Sequence, residues 1–221
     1  MVQKVYYDYS TYHTYRGSAK GNHVVVPAAL HQMPLFMRGG SIIPTRERPR
    51  RASPLMHRDP FTLRIALDSS LTAHGELYLD DGTTYAYKQG HLTWRGLSVD
   101  SMDKTELRLS NFDMAAATPR SAVEGATLAE FRRENPFQTG IASVRVERVV
   151  ILGLPGMPKR VAVEGSSSSS SSSSARELAW EFGPGVAAGA VRGDRDGVAS
   201  VLTIKDPGLG VASDWAIRIS L

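Results

Sequence analysis

The densest acidic stretch is Gly75-Glu-Leu-Tyr-Leu-Asp-Asp-Gly82. Breaking a sugar bond takes two carboxyl groups roughly 5–10 Å apart. Asp80 and Asp81 are adjacent, so in a strand their side chains leave on opposite faces. Glu76 and Asp80 share a face but stand roughly 13 Å apart at a strand's rise. No local acid/base pair follows from this run, and Asp81 with Gly82 reads instead as a turn former. The six histidines (His13, His23, His31, His57, His74 and His91) have no metal-ligand spacing. They are expected on surfaces and loops. There is no cysteine, which removes disulfides, thiolate metal sites and thiol nucleophiles. Gly17-Ser-Ala-Lys-Gly21 places its serine one position too early for a nucleophile elbow. No cofactor is predicted.

Arg38-Gly39-Gly40-Ser41 is the other cluster of interest. It lacks the spacing of a dinucleotide or phosphate loop, and no helical pattern follows it. Apolar arms, Leu35-Phe-Met37 and Ile42-Ile43, flank it, with Pro34 and Pro44 outside them. That arrangement predicts a hairpin bend in which Gly39 and Gly40 let the backbone turn. Arg46, Arg48, Arg50 and Arg51 form a charged loop. Without interleaved aromatic residues it is expected to be solvated or to meet a neighbouring domain, not nucleic acid. Tyr78, Tyr85 and Tyr87 lie beside Glu76 and Asp80, a combination that suits sugars. Burial against another domain, with the hydroxyls hydrogen-bonded, is the plainer reading.

Strands must carry these groups. Phe61–Leu67 alternates apolar and polar residues, predicting a half-buried strand, and the same period recurs in Val144–Leu152, Val198–Ile204 and Trp215–Leu221. Trp215, Ile217, Ile219 and Leu221 should share one buried face. Val24-Val-Val26 is a further strand candidate, ended by Pro27. Gly75–Tyr87 predicts a tight hairpin turning at Asp81-Gly82, with Tyr78 opposite Tyr85 and Leu77 opposite Ala86. Asp206-Pro-Gly208 predicts a turn between the last two strands. Helical periodicity is confined to about one turn at Ala28–Gln32. Nine consecutive serines, Ser166–Ser174, cannot form a core, so residues 165–175 are expected to be a flexible loop. An all-β chain of two tandem antiparallel β-sandwich domains is predicted, residues 1–72 and residues 73–221.

At 221 residues and 42% hydrophobic content the chain suits one large or two small globular domains. No apolar run reaches the roughly 18 residues of a membrane span, and the first twenty residues lack a leader's apolar core. The chain is therefore expected to stay where it is made or to be a piece of a longer one. The net charge of +4 is uneven. Residues 1–58 hold nine lysines and arginines against Asp8 and Glu47, while the remainder is net acidic. Such a face fits an anionic or acidic neighbour.

Three runs resemble the C-terminal region of family 31 glycoside hydrolases: Pro34–Pro44, Asp59–Leu67 and Gly75–Gly82. Thr45–Arg51, Val146–Ile151 and Pro207–Ile217 are similar to its glucosidase II branch, the α-glucosidases that trim N-linked glycans. The resemblance implies two small β domains, proximal and distal, that follow a (β/α)8 barrel. That barrel carries both acids of a retaining α-glucosidase, and the acidic motif of the nucleophile is absent here. No catalytic residue therefore carries over. The resemblance implies instead a non-catalytic scaffold partnered by the upstream barrel and a β subunit. It further implies an α-glucoside or N-glycan substrate handled by the parent, in the lumen of the endoplasmic reticulum. Arg38 is expected to meet a carboxylate or carbonyl of the barrel. A stand-alone carbohydrate-binding module using Tyr78, Tyr85 and Tyr87 is the alternative.

Overall fold

A computed structural model describes residues 4–17, 23–26, 28–103, 105–114, 140–164, 175–185 and 197–221. The serine tract lies outside these residues. Among them, strands and two short 3-10 turns, Ser53–Met56 and Ala86–Gln89, make up the elements, only Met114 and Gly140 are helical besides, and there is no (β/α)8 barrel. The all-β expectation holds.

A small antiparallel sheet contains β1 (Val5–Asp8), β2 (Thr14–Arg16) and β3 (Phe36–Arg38), in the order β2-β1-β3. The large sheet contains β4 (Ser41–Thr45), β5 (Phe61–Ala66), β6 (Ala73–Leu79), β7 (Thr93–Asp103), β8 (Glu106–Asp113), β9 (Arg145–Leu152), β10 (Arg160–Val163), β11 (Arg176–Glu177), β12 (Trp180–Gly183), β13 (Val201–Gly210) and β14 (Trp215–Ser220). Its order is β11-β10-β14-β8-β7-β6-β4-β5-β9-β13-β12. The end strands β11 and β12 are neighbours in sequence but sit at opposite ends of the ladder. Between them, Leu178 N–H donates to the Val161 carbonyl on one side and Lys205 N–H donates to the Ala179 carbonyl on the other. One segment thus pairs with both ends, and the sheet curls on itself with few open backbone groups at its edges.

The alternation seen in sequence supplies the core. Leu63, Ile65, Val99, Leu107, Leu109, Ile151, Ile204, Ile217 and Ile219 are all at 0–1% exposure and meet inside the curl. Trp215 and Leu221 pack against the same core, as their shared period predicts. Each such aliphatic side chain contributes about 1.5–3 kcal/mol by leaving water. Strand β5 departs from expectation: it is buried on both faces. Its Leu63 and Ile65 face the main core, while Ala66 joins a second cluster of Val5, Tyr7, Met37, Val150, Leu152 and Ala199 under the small sheet. The small sheet covers the face of β5 and β9 that a single sandwich would leave in water.

Two pairings are parallel, β5 with β9 over Phe61↔Val146 to Ala66↔Leu152, and β4 with β6 at Ser41↔His74. Both join segments far apart in the chain, so strands from either side of residue 72 share one ladder.

Three local expectations are corrected. Val24 and Val25 pair with no strand among the described residues and are 52% and 95% exposed. The turn at Asp81-Gly82 is not a tight hairpin: β6 pairs with β7, so Tyr78 faces Trp94 and residues 80–92 form a loop. Finally, Asp206-Pro-Gly208 does not separate two strands. It is a bulge inside β13, with Asp206 at φ 40° and Gly208 at φ 65°, after which the ladder resumes at Leu209↔Val146.

Candidate functional site

Arg38, Gly39, Gly40 and Ser41 do not form a hairpin either. Strand β3 ends in the small sheet and β4 begins in the large one, so the glycines are the joint between sheets. Gly39 N–H donates to the Val5 carbonyl at 2.7 Å, and Gly40 N–H donates to the Ala66 carbonyl at 2.8 Å. A Cβ on Gly39 would stand 3.0 Å from the carbonyl oxygens of both Val5 and Leu67, and Gly40 has φ +90°. Glycine is needed at the first position for close backbone approach and at the second for its left-handed conformation. The Arg38 side chain leaves this joint exposed and has no ion pair or hydrogen bond among the described residues. It lies on the outer face of the small sheet, opposite Tyr6.

Asp80 and Asp81 shape the 80–92 loop by capturing backbone donors. Gly82 N–H donates to Asp80 Oδ1 at 2.9 Å. Thr83 and Thr84 N–H donate to Asp81 Oδ1 at 3.1 and 2.9 Å, and the Thr84 hydroxyl donates to Asp81 Oδ2. These local bonds compete with a ladder and win. The Thr84 hydroxyl, then the amides of Thr84 and Thr83, hold the Asp81 carboxyl down at about 2. Gly82 has φ +66°, as its turn role predicts, whereas Asp81 does not take a positive φ.

The three tyrosines gather on this loop and are 48%, 75% and 36% exposed at Tyr78, Tyr85 and Tyr87. Tyr85 and Tyr87 stand 6.2 Å apart between ring centroids, with the Lys88 ammonium 4.9 Å from the Tyr85 ring. The Tyr78 hydroxyl reaches Asp80 at 3.4 Å. Partial burial, then the Asp80 charge, raises the Tyr78 phenol above its ordinary value. The result is an exposed surface of aromatic rings, hydroxyls and carboxylates without a concave pocket of its own among the described residues.

The arginine loop is largely engaged within the chain. Arg50 makes a two-pronged contact with buried Asp59 at 2.9 and 2.7 Å. Arg48 pairs with Glu147, and the Arg46 guanidinium lies 4.4 Å over the Phe61 ring while donating to the His57 carbonyl. Glu47 is shared by Arg64 and Arg148. These contacts fasten the loop to β5 and β9 and leave Arg51 as the member without such a partner among the described residues.

Three cavities among the described residues carry one carboxylate each. They are a groove of about 880 Å³ holding Asp68, one of about 470 Å³ holding Asp8, and one of about 410 Å³ holding Glu164. Glu164 is bound by Arg108 and Arg218. None of these three offers the opposed pair that glycoside hydrolysis requires.

Sequence inspection passed over two groups. One is the buried guanidinium of Arg95, 3% exposed, which donates to Asn111 Oδ1 at 2.9 Å and to Asp214. The other is the Asp8 turn, whose side chain accepts from Ser10 and Thr11 N–H. An aspartate two and three residues before Ser and Thr is a turn signal that could have flagged it.

No family model matches the chain. Among curated proteins, neutral alpha-glucosidase AB of Sus scrofa is 33% identical over 98% of this chain and 18% of its own length. Among solved structures, the glucosidase II alpha subunit bound to Glc1Man2 superposes with a TM-score of 0.72 at 30% identity, over 98% of this chain and 20% of that one. A heterodimeric complex of the catalytic subunit of ER glucosidase II with the binding domain of its regulatory subunit gives 0.71 at 28% identity, over the same shares. The chain spans about a fifth of the length of the relatives it matches.

Proposed function

Because the chain belongs with the C-terminal β domains of glucosidase II-type α-glucosidases in glycoside hydrolase family 31, we propose that it is the non-catalytic C-terminal portion of such an enzyme. In this reading it braces a catalytic barrel that removes α-linked glucose from N-glycans with retention. One observation carries the proposal: nearly all of this chain aligns with only a fifth of each relative. The single-carboxylate cavities agree with it.

The proposed division is a proximal unit at residues 1–72 and a distal unit at 73–221. The two would share the ladder through β4–β6 and β5–β9 and unfold together. Gly39 and Gly40 set the angle between the sheets, Asp81 and Gly82 shape the 80–92 loop, and Arg38 is offered to a carboxylate or carbonyl of the barrel. By analogy with the relatives, the working place is the lumen of the endoplasmic reticulum and a regulatory β subunit is a partner. A second reading is favoured by the exposure of Tyr78, Tyr85 and Tyr87, which would suit a carbohydrate-binding module.

The test is a chromogenic α-glucoside offered to the purified 221-residue chain, free of host glucosidase. No turnover above blank is expected. Sustained turnover would place both catalytic acids inside this chain and overturn the proposal.

A further inference from the structure

The turn between β1 and β2 and the exposed segment 31–35 border a half-open cavity of about 470 Å³, within the volume range of small-molecule sites. Asp8, His13, Tyr15, His31, Gln32 and Leu35 are among the residues that line it. We propose that this cavity binds one neutral hexopyranose unit, either a free sugar or the terminal residue of an oligosaccharide.

The turn is built to hold its shape. Asp8 Oδ1 accepts from Ser10 N–H at 2.9 Å and Thr11 N–H at 2.7 Å, and the Thr11 hydroxyl also supports the carboxylate. Asp8 N–H donates to the His13 carbonyl at 2.8 Å, and Tyr12 N–H donates to the Asp8 carbonyl at 3.0 Å. Tyr12 sits at φ 59°, strained for a residue with a side chain, and its carbonyl is fixed by Ala199 N–H at 2.9 Å. Strain of this kind persists only where the surroundings over-determine it. Burial works against the Asp8 carboxylate, but the Thr11 and Ser10 donors outweigh it and lower its pKa. The cavity therefore contains a charged acceptor in a fixed position.

The rest of the lining complements that acceptor. The His31 ring and the Gln32 carboxamide have no side-chain partner among the described residues and supply donors and acceptors together. The Tyr15 ring is held edge-on by Phe36, with centroids 5.4 Å apart at 83°. With Leu35 it offers an apolar wall. Ring hydroxyls that donate to a carboxylate and accept from an imidazole or amide, above C–H groups that rest on an aromatic ring, match a pyranose. An anion would meet Asp8. A metal ion would need three ligating side chains together, and the described residues contain no such group. The site lies away from the 80–92 loop and does not depend on the chain serving a catalytic barrel.

Methyl α-glucoside and maltose are titrated into the full 221-residue chain by isothermal calorimetry and by saturation-transfer NMR, with inorganic phosphate as the counter-probe. Saturable binding of both sugars is expected, with none of phosphate. His31→Ala combined with Gln32→Ala should weaken it by roughly tenfold or more without moving the thermal midpoint. Tyr78→Ala with Tyr85→Ala should leave it unchanged. Should the His31/Gln32 variant not fold, chemical-shift changes on sugar addition replace it and should fall on Asp8 to Tyr15 and His31 to Leu35. Absence of saturable sugar binding, binding that survives the His31/Gln32 change, loss through the tyrosine pair, or shifts confined to residues 78–92 would each overturn the proposal. None of these outcomes would bear on the absence of turnover, so the two readings fail separately.

Discussion

Gly75→Ala tests whether the strands on either side of residue 72 are one structural unit. Gly75 sits inside β6, paired with Leu97 of β7, and its missing side chain faces β4. An added Cβ would stand 2.2 Å from the Ile42 carbonyl oxygen and 2.8 Å from Ile42 Cβ, where ordinary contact begins near 3.4 Å. The overlap exceeds roughly 1 Å and falls on backbone, which cannot swing aside as a side-chain tip can. Strand β4 cannot retreat freely, because Ser41 to Thr45 are paired with Ala66 to Thr62 on its far side. Overpacking costs about 1–3 kcal/mol, and parting β4 from β6 sacrifices the bond from His74 N–H to the Gly40 carbonyl, worth about 1 kcal/mol. The expected loss is about 2–4 kcal/mol. At about 2–4 °C per kcal/mol for a chain of this size, the melting midpoint should fall by roughly 5–15 °C. Circular dichroism and scanning calorimetry read the change, with Gly156→Ala as control, because a Cβ there meets nothing within 4 Å. The loss should appear as a single cooperative transition. A shift under about 2 °C, or two separate transitions of which only one moves, would refute the reasoning.

Two further outcomes are expected. Arg95→Ala, which empties a site 3% exposed and strands the Asn111 side-chain oxygen, should cost about 1–3 kcal/mol in urea unfolding. Arg95→Met should cost less, since it fills the volume without a charge to desolvate, and equal losses would show that the lost guanidinium hydrogen bonds, not packing, set the cost there. The Asp81 carboxyl, held at about 2, should titrate in carbon-detected NMR well below an ordinary aspartate at about 3.9. Because its folded value is depressed, the stability it lends is complete above the unfolded value and is lost as pH falls through about 2. Thr84→Val should move that midpoint upward, and an unmoved midpoint would show that the Thr84 hydroxyl is not its main support.

Much of the fold is legible in local pattern because strand alternation has a period of two whatever the partner. Phe61–Leu67, Val144–Leu152 and Trp215–Leu221 can be read this way, and the runs around Arg38–Ser41 and Asp81–Gly82 identify the relatives. Errors arose where two local outcomes have similar energies. Asp80-Asp81-Gly82-Thr-Thr84 can make a tight hairpin, or its carboxylates can capture the next amides, and each alternative rests on bonds of about 1 kcal/mol. The choice falls to the pairing of β6 with β7, which sets Tyr78 opposite Trp94.

Of the candidate site, composition announces glycines, tyrosines and an arginine loop but not their geometry. The glycine pair joins two sheets because β3 finds β1 while β4 finds β5, pairings that no spacing reveals. The Asp8 cavity needs residues 8–15 and 31–35 on facing walls, and Arg48 of the arginine loop finds Glu147 roughly a hundred residues away. The residues alone therefore determine the all-β class, the buried faces of most strands and the family. The tertiary structure decides why β5 is buried on both faces, which charges are already engaged, and where a cavity opens. Alternation and turn chemistry act over a few bonds, whereas strand partners and cavities arise when distant segments together exclude water.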